Sequence, residues 1–235
     1  MKLKILGVVP ARKGSKGIKD KNLLKIKNKS LVEIAIREAK KSKLIKDISI
    51  STDSFKIVKI AKKLKINVPS LRPANLSGDK TNIFKVLNYE LNYWEKKNNT
   101  KYDAVILLQP TTPFRTKLII DNSIKYFKKN YHIADSLITI TDIDYPVEWT
   151  LKKEKIYVRN FFKNANSIVR RQNSKKLFKP NGMIYIVKRN LLKRLKNKIL
   201  PTKKTLFFYV PKSLSINIDT IKDYLLARID EKRLN

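Results

Sequence analysis

Apolar and polar positions along the chain change period repeatedly, and the changes mark alternating strands and helices. Leu3–Val9 is a mainly apolar run of strand length. Ser30 with Glu33 three residues later forms a capping-box pattern, and the helix it opens, Leu31–Lys43, carries Leu31, Ile34, Ala35 and Ala39 on one face. The same reasoning predicts strands at Asp47–Ser51, Ala104–Leu108, Ser136–Thr141 and Met183–Val187. It predicts helices at Phe55–Lys65, Asn82–Lys97, Lys117–Lys129 and Thr220–Lys232. Strand–helix alternation implies a three-layer α/β fold around a mostly parallel sheet. In such a sheet ligands bind beyond the carboxyl ends of the strands. That directs attention to the polar loops Pro10–Asn22, Thr52–Ser54 and Gln109–Arg115. Residues 142–180 fit the alternation poorly and read as an insertion, either a flap or a dimerisation element.

Composition sharpens this picture in three places. The chain has 235 residues and is 42% hydrophobic, enough for one full core, so the expectation is a single domain over 1–235. The apolar stretch Ile5–Val9 is too short for a secretion signal and lacks a small-residue cleavage site. No run reaches membrane-spanning length, and the absence of cysteine excludes disulfides and thiolate metal sites. A cytoplasmic protein without a membrane partner is expected.

Charge is the second point. Against 19 acidic residues stand 54 basic ones, 43 Lys and 11 Arg, for a net charge of +35. Such an excess raises nucleic acid as a partner, because phosphate neutralisation drives that binding. The lysines, however, occur singly and in pairs over the whole chain, with no basic tail or aromatic-interleaved patch. The expectation is no nucleic-acid partner, and a field that attracts a small polyanion.

Glycine is the third. A chain of this length holds roughly sixteen glycines at an average usage of about 7%, whereas this one has five. Gly14, Gly17, Gly78 and Gly182 all lie in polar, non-periodic segments. Scarce glycine so placed suggests backbone that turns sharply or approaches a ligand, with ordinary turns as the alternative. The segment from Pro10 to Asn22 holds Gly14 and Gly17 together with Arg12, Lys13, Ser15, Lys16, Lys19 and Lys21. Backbone N–H groups, a hydroxyl and cations in one loop suit phosphate oxygens; an exposed basic loop is the plain alternative. The loop has neither the GxxxxGK[ST] spacing nor GxGxxG. Asp53 is placed to cap the helix beginning at Phe55 or to serve the loop cluster. Arg115 suits a structural pair, Tyr185 the core, and His132 the surface.

Ala11–Asn22 resembles the signature loop of the acylneuraminate cytidylyltransferases, the CMP-sialic acid synthetases. Further matches follow in the family's order. They are Ser51-Thr52-Asp53-Ser54, Arg72-Pro73 with Leu76, Asp79 and Thr81, Gln109-Pro110-Thr111-Thr112-Pro113-Phe114-Arg115, Arg171-Gln172, Pro180-Asn181-Gly182-Met183-Ile184-Tyr185, and Ile218-Asp219-Thr220. The resemblance implies a Rossmann-like nucleotidyltransferase fold with an inserted dimerisation element, a homodimer, and transfer of CMP from CTP to an acidic nine-carbon sugar. It implies that Arg12, Gly14, Ser15, Lys16 and Lys21 hold the CTP phosphates. Asn22, Arg72, Asp79 and Thr81 would line the nucleotide pocket. Gln109 would sit by the anomeric hydroxyl, while Arg171, Gln172 and Asn181 bind the sugar, the first two from a partner subunit. Arg12, Lys16, Lys21 and Gln109 thereby become the candidate catalytic residues. Asp219 would carry a magnesium ion with Asn217. Where the family reads Asp-Ile-Asp, this chain has Asn217-Ile218-Asp219, which keeps a carbonyl oxygen but loses a charge. Lys179 stands where arginine is usual, which removes a bidentate donor. Legionaminic, pseudaminic or 3-deoxy-octulosonic acid as acceptor, an inactive nucleotide-binding relative, and a nucleic-acid-binding protein are the competing readings.

Overall fold

A computed structural model describes residues 3–14, 17–66, 68, 70–163, 174–195 and 200–234. The strands are β1 (Ile5–Pro10), β2 (Lys25–Ile26), β3 (Lys29–Ser30), β4 (Asp47–Ser51), β5 (Ala104–Leu108), β6 (Ser136–Asp142), β7 (Leu151–Glu154), β8 (Tyr157–Asn160), β9 (Phe178–Lys188) and β10 (Thr205–Tyr209). The helices are α1 (Leu31–Lys41), α2 (Phe55–Lys63), α3 (Ile83–Lys97), α4 (Lys117–Lys129), α5 (Arg189–Arg194) and α6 (Ile221–Ile229).

Six strands form the central sheet in the order β10-β6-β9-β5-β1-β4. All neighbours are parallel except β9, which runs antiparallel to both β5 and β6. Successive side chains on a strand face opposite ways. Ile5 and Val9 of β1 and Ala104, Ile106 and Leu108 of β5 therefore enter one core with α1, α2 and α4. Leu6, Val8, Val105 and Leu107 enter another with Phe84, Leu87 and Leu91 of α3 and Leu192 of α5. Both sheet faces are covered, which is why these strands read as continuous apolar runs rather than alternating ones. This is the three-layer Rossmann-like α/β fold expected, with its mostly parallel sheet.

The polar ends of the elements explain where the helices begin and stop. Ser30 caps α1 by accepting from the Glu33 amide, but the Glu33 carboxylate accepts from Arg37 rather than reaching back, so the expected capping box is only half formed. A complete one occurs at α6, between Thr220 and Asp223. Asn82 and Thr116 cap α3 and α4. Helices α1 and α2 end two residues earlier than their periodicity predicts, because apolar spacing continues past the last helical turn. Strand β9 begins at Phe178, well before the predicted Met183. The short hairpin β2–β3, the hairpin β7–β8 and edge strand β10 were not predicted; their exposed or mixed faces carry little period-2 signal.

One irregularity shapes the site. The β6–β9 register shifts between Ile138 and Ile140. The extra β9 residues bulge, Gly182 takes a positive φ of 73°, and Thr139 Oγ fills the gap by bonding the Asn181 carboxamide oxygen (2.6 Å) and the Ile184 backbone. Bulges of this kind re-aim side chains beside a site.

Candidate functional site

The carboxyl ends of β1, β4 and β5 open onto a cleft of about 450 Å³. Its floor is pinned by backbone bonds. Ala11 donates to Ser51, Arg72 to Thr52, and Ile218 to Thr111, so the segments at 11, 51–52 and 72 are tied together, and those at 111 and 218 likewise. Asp53 accepts the Lys13 amide at 2.6 Å and so anchors the loop after β1; the cap position of α2 belongs instead to Ser54. Asn22 is buried and donates to the Arg12 carbonyl at 3.0 Å, drawing the far end of the loop back over its start. Gly17 lies against the Asp219 carbonyl so closely that a Cβ there would sit 2.5 Å from its oxygen. No other residue fits at 17 without moving Asp219.

Two cations of the loop reach across the cleft to carboxylates. The Arg12 guanidinium pairs with Asp79, and Lys21 Nζ lies 2.8 Å from Asp219. Both pairs are solvent-accessible, so an arriving phosphate can compete for either cation. Arg72 has a different role. Its Nε and Nη2 donate to Ser51 Oγ (2.9 Å) and Ser51 O (2.6 Å), and burial lowers its pKa although Asp53 and Glu90 oppose the effect. It stiffens the wall rather than offering a free charge. Leu76, Gly78, Thr81, Ile83 and Val86 complete the other wall, a mainly apolar surface with one hydroxyl.

Gln109 belongs to this cleft and also to a second one of about 550 Å³. Its carbonyl accepts from Thr112 Oγ and Arg115 Nη1, leaving the carboxamide at the junction, near Gly182. Asn181 lines the second cleft, but its amide is consumed internally: Nδ2 donates to Ser215 Oγ (2.9 Å), and Oδ1 accepts from Thr139 Oγ and the Met183 amide. Tyr185, assigned to the core from its pattern, is only partly buried and lines the second cleft. At the rim, Asp144 pairs with both Lys179 and Lys212, which holds its carboxyl at about 2. Asp144, Lys212, Ser215 and the unpartnered hydroxyl of Thr141 were not singled out from sequence. Their partners lie far away in the chain and no spacing signal links them.

Asn217 and Asp219 stand where the two clefts meet. Asn217 Nδ2 donates to Asp219 Oδ2 at 2.7 Å, while Asn217 Oδ1 is buried without a partner among the described residues. Among the described residues no group of three or more acidic, His or Cys side chains gathers to hold a metal. Magnesium is often held by one or two carboxylates together with substrate phosphates. Asp219 Oδ1 is taken by Lys21 and its Oδ2 by Asn217 Nδ2, so an ion shared by the two residues fits only with the Asn217 carboxamide turned over and Lys21 displaced.

Of the sites predicted from sequence, the structure brings Arg12, Lys21, Asn22, Arg72, Asp79, Thr81, Gln109 and Asp219 to the first cleft and Asn181 and Asn217 to the second, with Gln109 shared. A Cβ at Gly14 would meet, among the described residues beyond its chain neighbours, the Arg12 guanidinium alone, at 3.9 Å. Ser15, Lys16, Arg171 and Gln172 lie outside the described residues. His132 is exposed, as expected. No described helix is long and apolar enough to cross a membrane.

The chain is 29% identical to N-acylneuraminate cytidylyltransferase of Escherichia coli O18:K1:H7 over 241 residues, covering 100% of this chain and 54% of that protein. This chain thus spans about half the length of that relative. It is 30% identical to CMP-N,N'-diacetyllegionaminic acid synthase of Legionella pneumophila, over 96% of this chain and 95% of that one. Among solved structures, a CMP:2-keto-3-deoxy-manno-octonic acid synthetase complexed with CTP shares the fold at a TM-score of 0.68 and 15% identity, over 98% of this chain and 99% of that one. The profile of the family described as cytidylyltransferase matches residues 6–226, and the chain belongs to that family.

Proposed function

We propose that this protein transfers CMP from CTP to an acidic nine-carbon sugar of the sialic-acid type and releases pyrophosphate. The observation that carries the reading is the sharing of Gln109 between two clefts, one lined by loop cations and one by polar groups behind a lysine-rich rim. Two substrates bound in these clefts would meet at Gln109.

In this reading the anomeric hydroxyl of the sugar loses its proton and its oxygen bonds to the α-phosphorus, while the bond from that phosphorus to the bridging oxygen breaks. The protein forms no covalent intermediate; it acts by positioning and by charge. Arg12 and Lys21, with Ser15 and Lys16 of the same loop, hold the triphosphate, and Asp79 and Asp219 keep the two described cations in place beforehand. Asn22, Arg72 and Thr81 shape the nucleoside wall. Gln109 orients the anomeric hydroxyl. Lys179 and Lys212 favour an acidic acceptor, and Arg171 and Gln172 add to its site. Asp219 and Asn217 would hold magnesium, which when bound neutralises charge on the phosphate oxygens.

The sugar cleft is completed by a second subunit. Within residues 142–180 the hairpin β7–β8 acts as an arm that exposes Leu151, Ile156, Tyr157 and Val158, with Ile156 86% accessible. Exposed apolar surface of this extent marks an interaction site, and a homodimer would cover it.

Incubation of the protein with CTP, magnesium and, separately, N-acetylneuraminic, legionaminic, pseudaminic and 3-deoxy-octulosonic acids tests the reading. Pyrophosphate and a CMP-sugar should form with a nine-carbon acid. Formation of neither with any of the four overturns it.

A further inference from the structure

The two edges of the central sheet differ. Strand β4 ends in three buried residues, whereas β10 has no buried residue, with Phe207 61% and Tyr209 42% exposed. Among the described residues β10 pairs with β6 alone. Its sequence from Thr205 to Tyr209 holds no charge and no proline, although Lys and Arg make up 54 of the 235 residues. Natural sheets commonly protect an exposed edge with such residues. Phe178 extends the aromatic surface, its ring 6.0 Å from that of Tyr209.

The phase of the strand fixes what this edge offers. Alternate residues of a strand turn their backbone N–H and C=O groups to alternate sides. Lys204 O accepts from the Asp135 amide, and the Val210 amide donates to Ile140 O, so the even-numbered residues address β6. Thr205, Phe207 and Tyr209 therefore turn theirs to the outer edge. The Thr205 amide is engaged by Thr202 O, which leaves the Phe207 and Tyr209 amides and the three carbonyls facing outward. These groups are self-complementary in an antiparallel pair centred on Phe207. There Phe207 lies opposite the partner's Phe207 and exchanges two bonds with it, and each Tyr209 amide meets a Thr205 carbonyl. Lys204 and Lys203 come opposite the partner's Val210 and the partner's Pro211. That end of the strand carries a carboxylate, because Asp142 accepts from the Tyr209 hydroxyl. Opposite charges thus approach, and no lysine falls directly opposite another.

We propose that β10 pairs antiparallel with β10 of a second copy of this chain, in the register centred on Phe207, and joins two six-stranded sheets across a two-fold axis. This contact is separate from the arm and brings together pairs of subunits rather than completing a cleft. The strands are short and each copy carries a charge of +35, so the contact is weak and forms only at high protein concentration.

Sedimentation of the Ile156→Asp chain, whose arm hairpin then carries a charge, isolates this edge. In about 0.3 M salt, which screens the net charge, the mean mass should rise from monomer towards dimer with a Kd on the order of 0.1 mM. Adding Phe207→Lys removes the aromatic pair and sets like charges opposite each other, which should weaken association about tenfold. The chain has no cysteine, so Phe207→Cys reports the register. Opposite Cα atoms of a hydrogen-bonded antiparallel pair lie about 5.5 Å apart, within disulfide reach. On oxidation this variant should run as a covalent dimer, and Phe55→Cys, 72% exposed in the helix that follows the opposite edge strand β4, should not. If another segment of the chain or a different protein's strand covers the edge, the mass stays constant with concentration, and the inference is overturned. Association of Phe207→Lys equal to its parent, or crosslinking of Phe207→Cys no better than that of Phe55→Cys, overturns it as well. No turnover is read, so the outcome is independent of the nucleotidyl-transfer reading.

Discussion

The loops at the ends of β1, β4 and β5 and the arm between β6 and β9 are neighbours built on opposite terms. In the loops, polar groups are buried and paired: Asn22 holds the Arg12 carbonyl, Asp53 the Lys13 amide, and Arg72 the end of β4. Two sheet-backed cores stand directly beneath them. In the arm, nearly every side chain from Leu151 to Phe162 is exposed, and among the described residues β7 pairs only with β8. An isolated two-stranded hairpin is marginal in water. The first region thus satisfies these polar groups within one chain, whereas the hairpin of the arm leaves its apolar side chains exposed among the described residues. In the proposed function, catalysis depends on charge and precise placement at the first region and on assembly at the second.

Substitutions can break that contrast, beginning at the first region. Asp219→Ala removes the only carboxylate of the 217–219 triplet and the partner of Lys21, and kcat/KM should fall about a hundredfold or more. Steady-state rates over a range of magnesium concentrations check this, and wild-type turnover at every concentration would remove Asp219 from the site. Gly17→Ala drives a Cβ into the Asp219 carbonyl. The resulting displacement should cost up to about a hundredfold in rate with little loss of thermal stability, since the clash lies in a surface loop. Arg12→Ala and Lys21→Ala each delete a charge-assisted contact of about 1.5–3 kcal/mol, equivalent to roughly ten- to a hundredfold in kcat/KM. Their melting temperatures should stay close to wild type, because exposed ion pairs contribute little.

The arm is tested by assembly. Ile156→Asp should convert a dimer to monomer in light scattering, and turnover should fall with it while CTP binding persists. Mixing Arg171→Ala chains with Lys21→Ala chains should restore part of the activity through hybrid sites; a fully active monomer contradicts both expectations. A smaller effect sharpens the comparison at the junction. Asn217→Asp adds a second carboxylate beside Asp219, and the added Coulomb attraction should lower the magnesium concentration for half-maximal rate.

The smallest effect expected is at the rim of the second cleft, where Lys179 and Lys212 depress the Asp144 pKa to about 2 from an ordinary 3.8. A depressed carboxylate contributes stability that is present above its unfolded value and lost as pH falls through the folded one. Asp144→Asn should thus slightly narrow the difference in melting temperature between pH 5 and pH 2, as read by circular dichroism.

Much of the fold was legible because both faces of the central strands are covered. Their apolar runs and the capped amphipathic helices between them carry a local signal, and β1, β4, β5 and β6 emerged close to their true bounds. The hairpins and β10 did not, since strands with one or no buried face lack that signal. At the site, the loop cations Arg12 and Lys21 stood out through local composition, and Asn22 through the resemblance of the whole loop. The roles of Asp53, Arg72 and Asn181 did not, because each is defined by a partner remote in the chain.

The sequence by itself determined which segments carry chemistry: glycine scarcity, clustered cations and ordered motifs are properties of residues in a row. Only the tertiary structure decided how those residues are used. It placed Gln109 at the junction of two clefts, spent the Asn181 amide on Thr139, Met183 and Ser215, and left the buried Arg115 Nε without a partner among the described residues. The physical reason is that a hydrogen bond or ion pair depends on distances of a few ångströms in space, and the chain sets those distances only after the sheet has brought its loops to one edge.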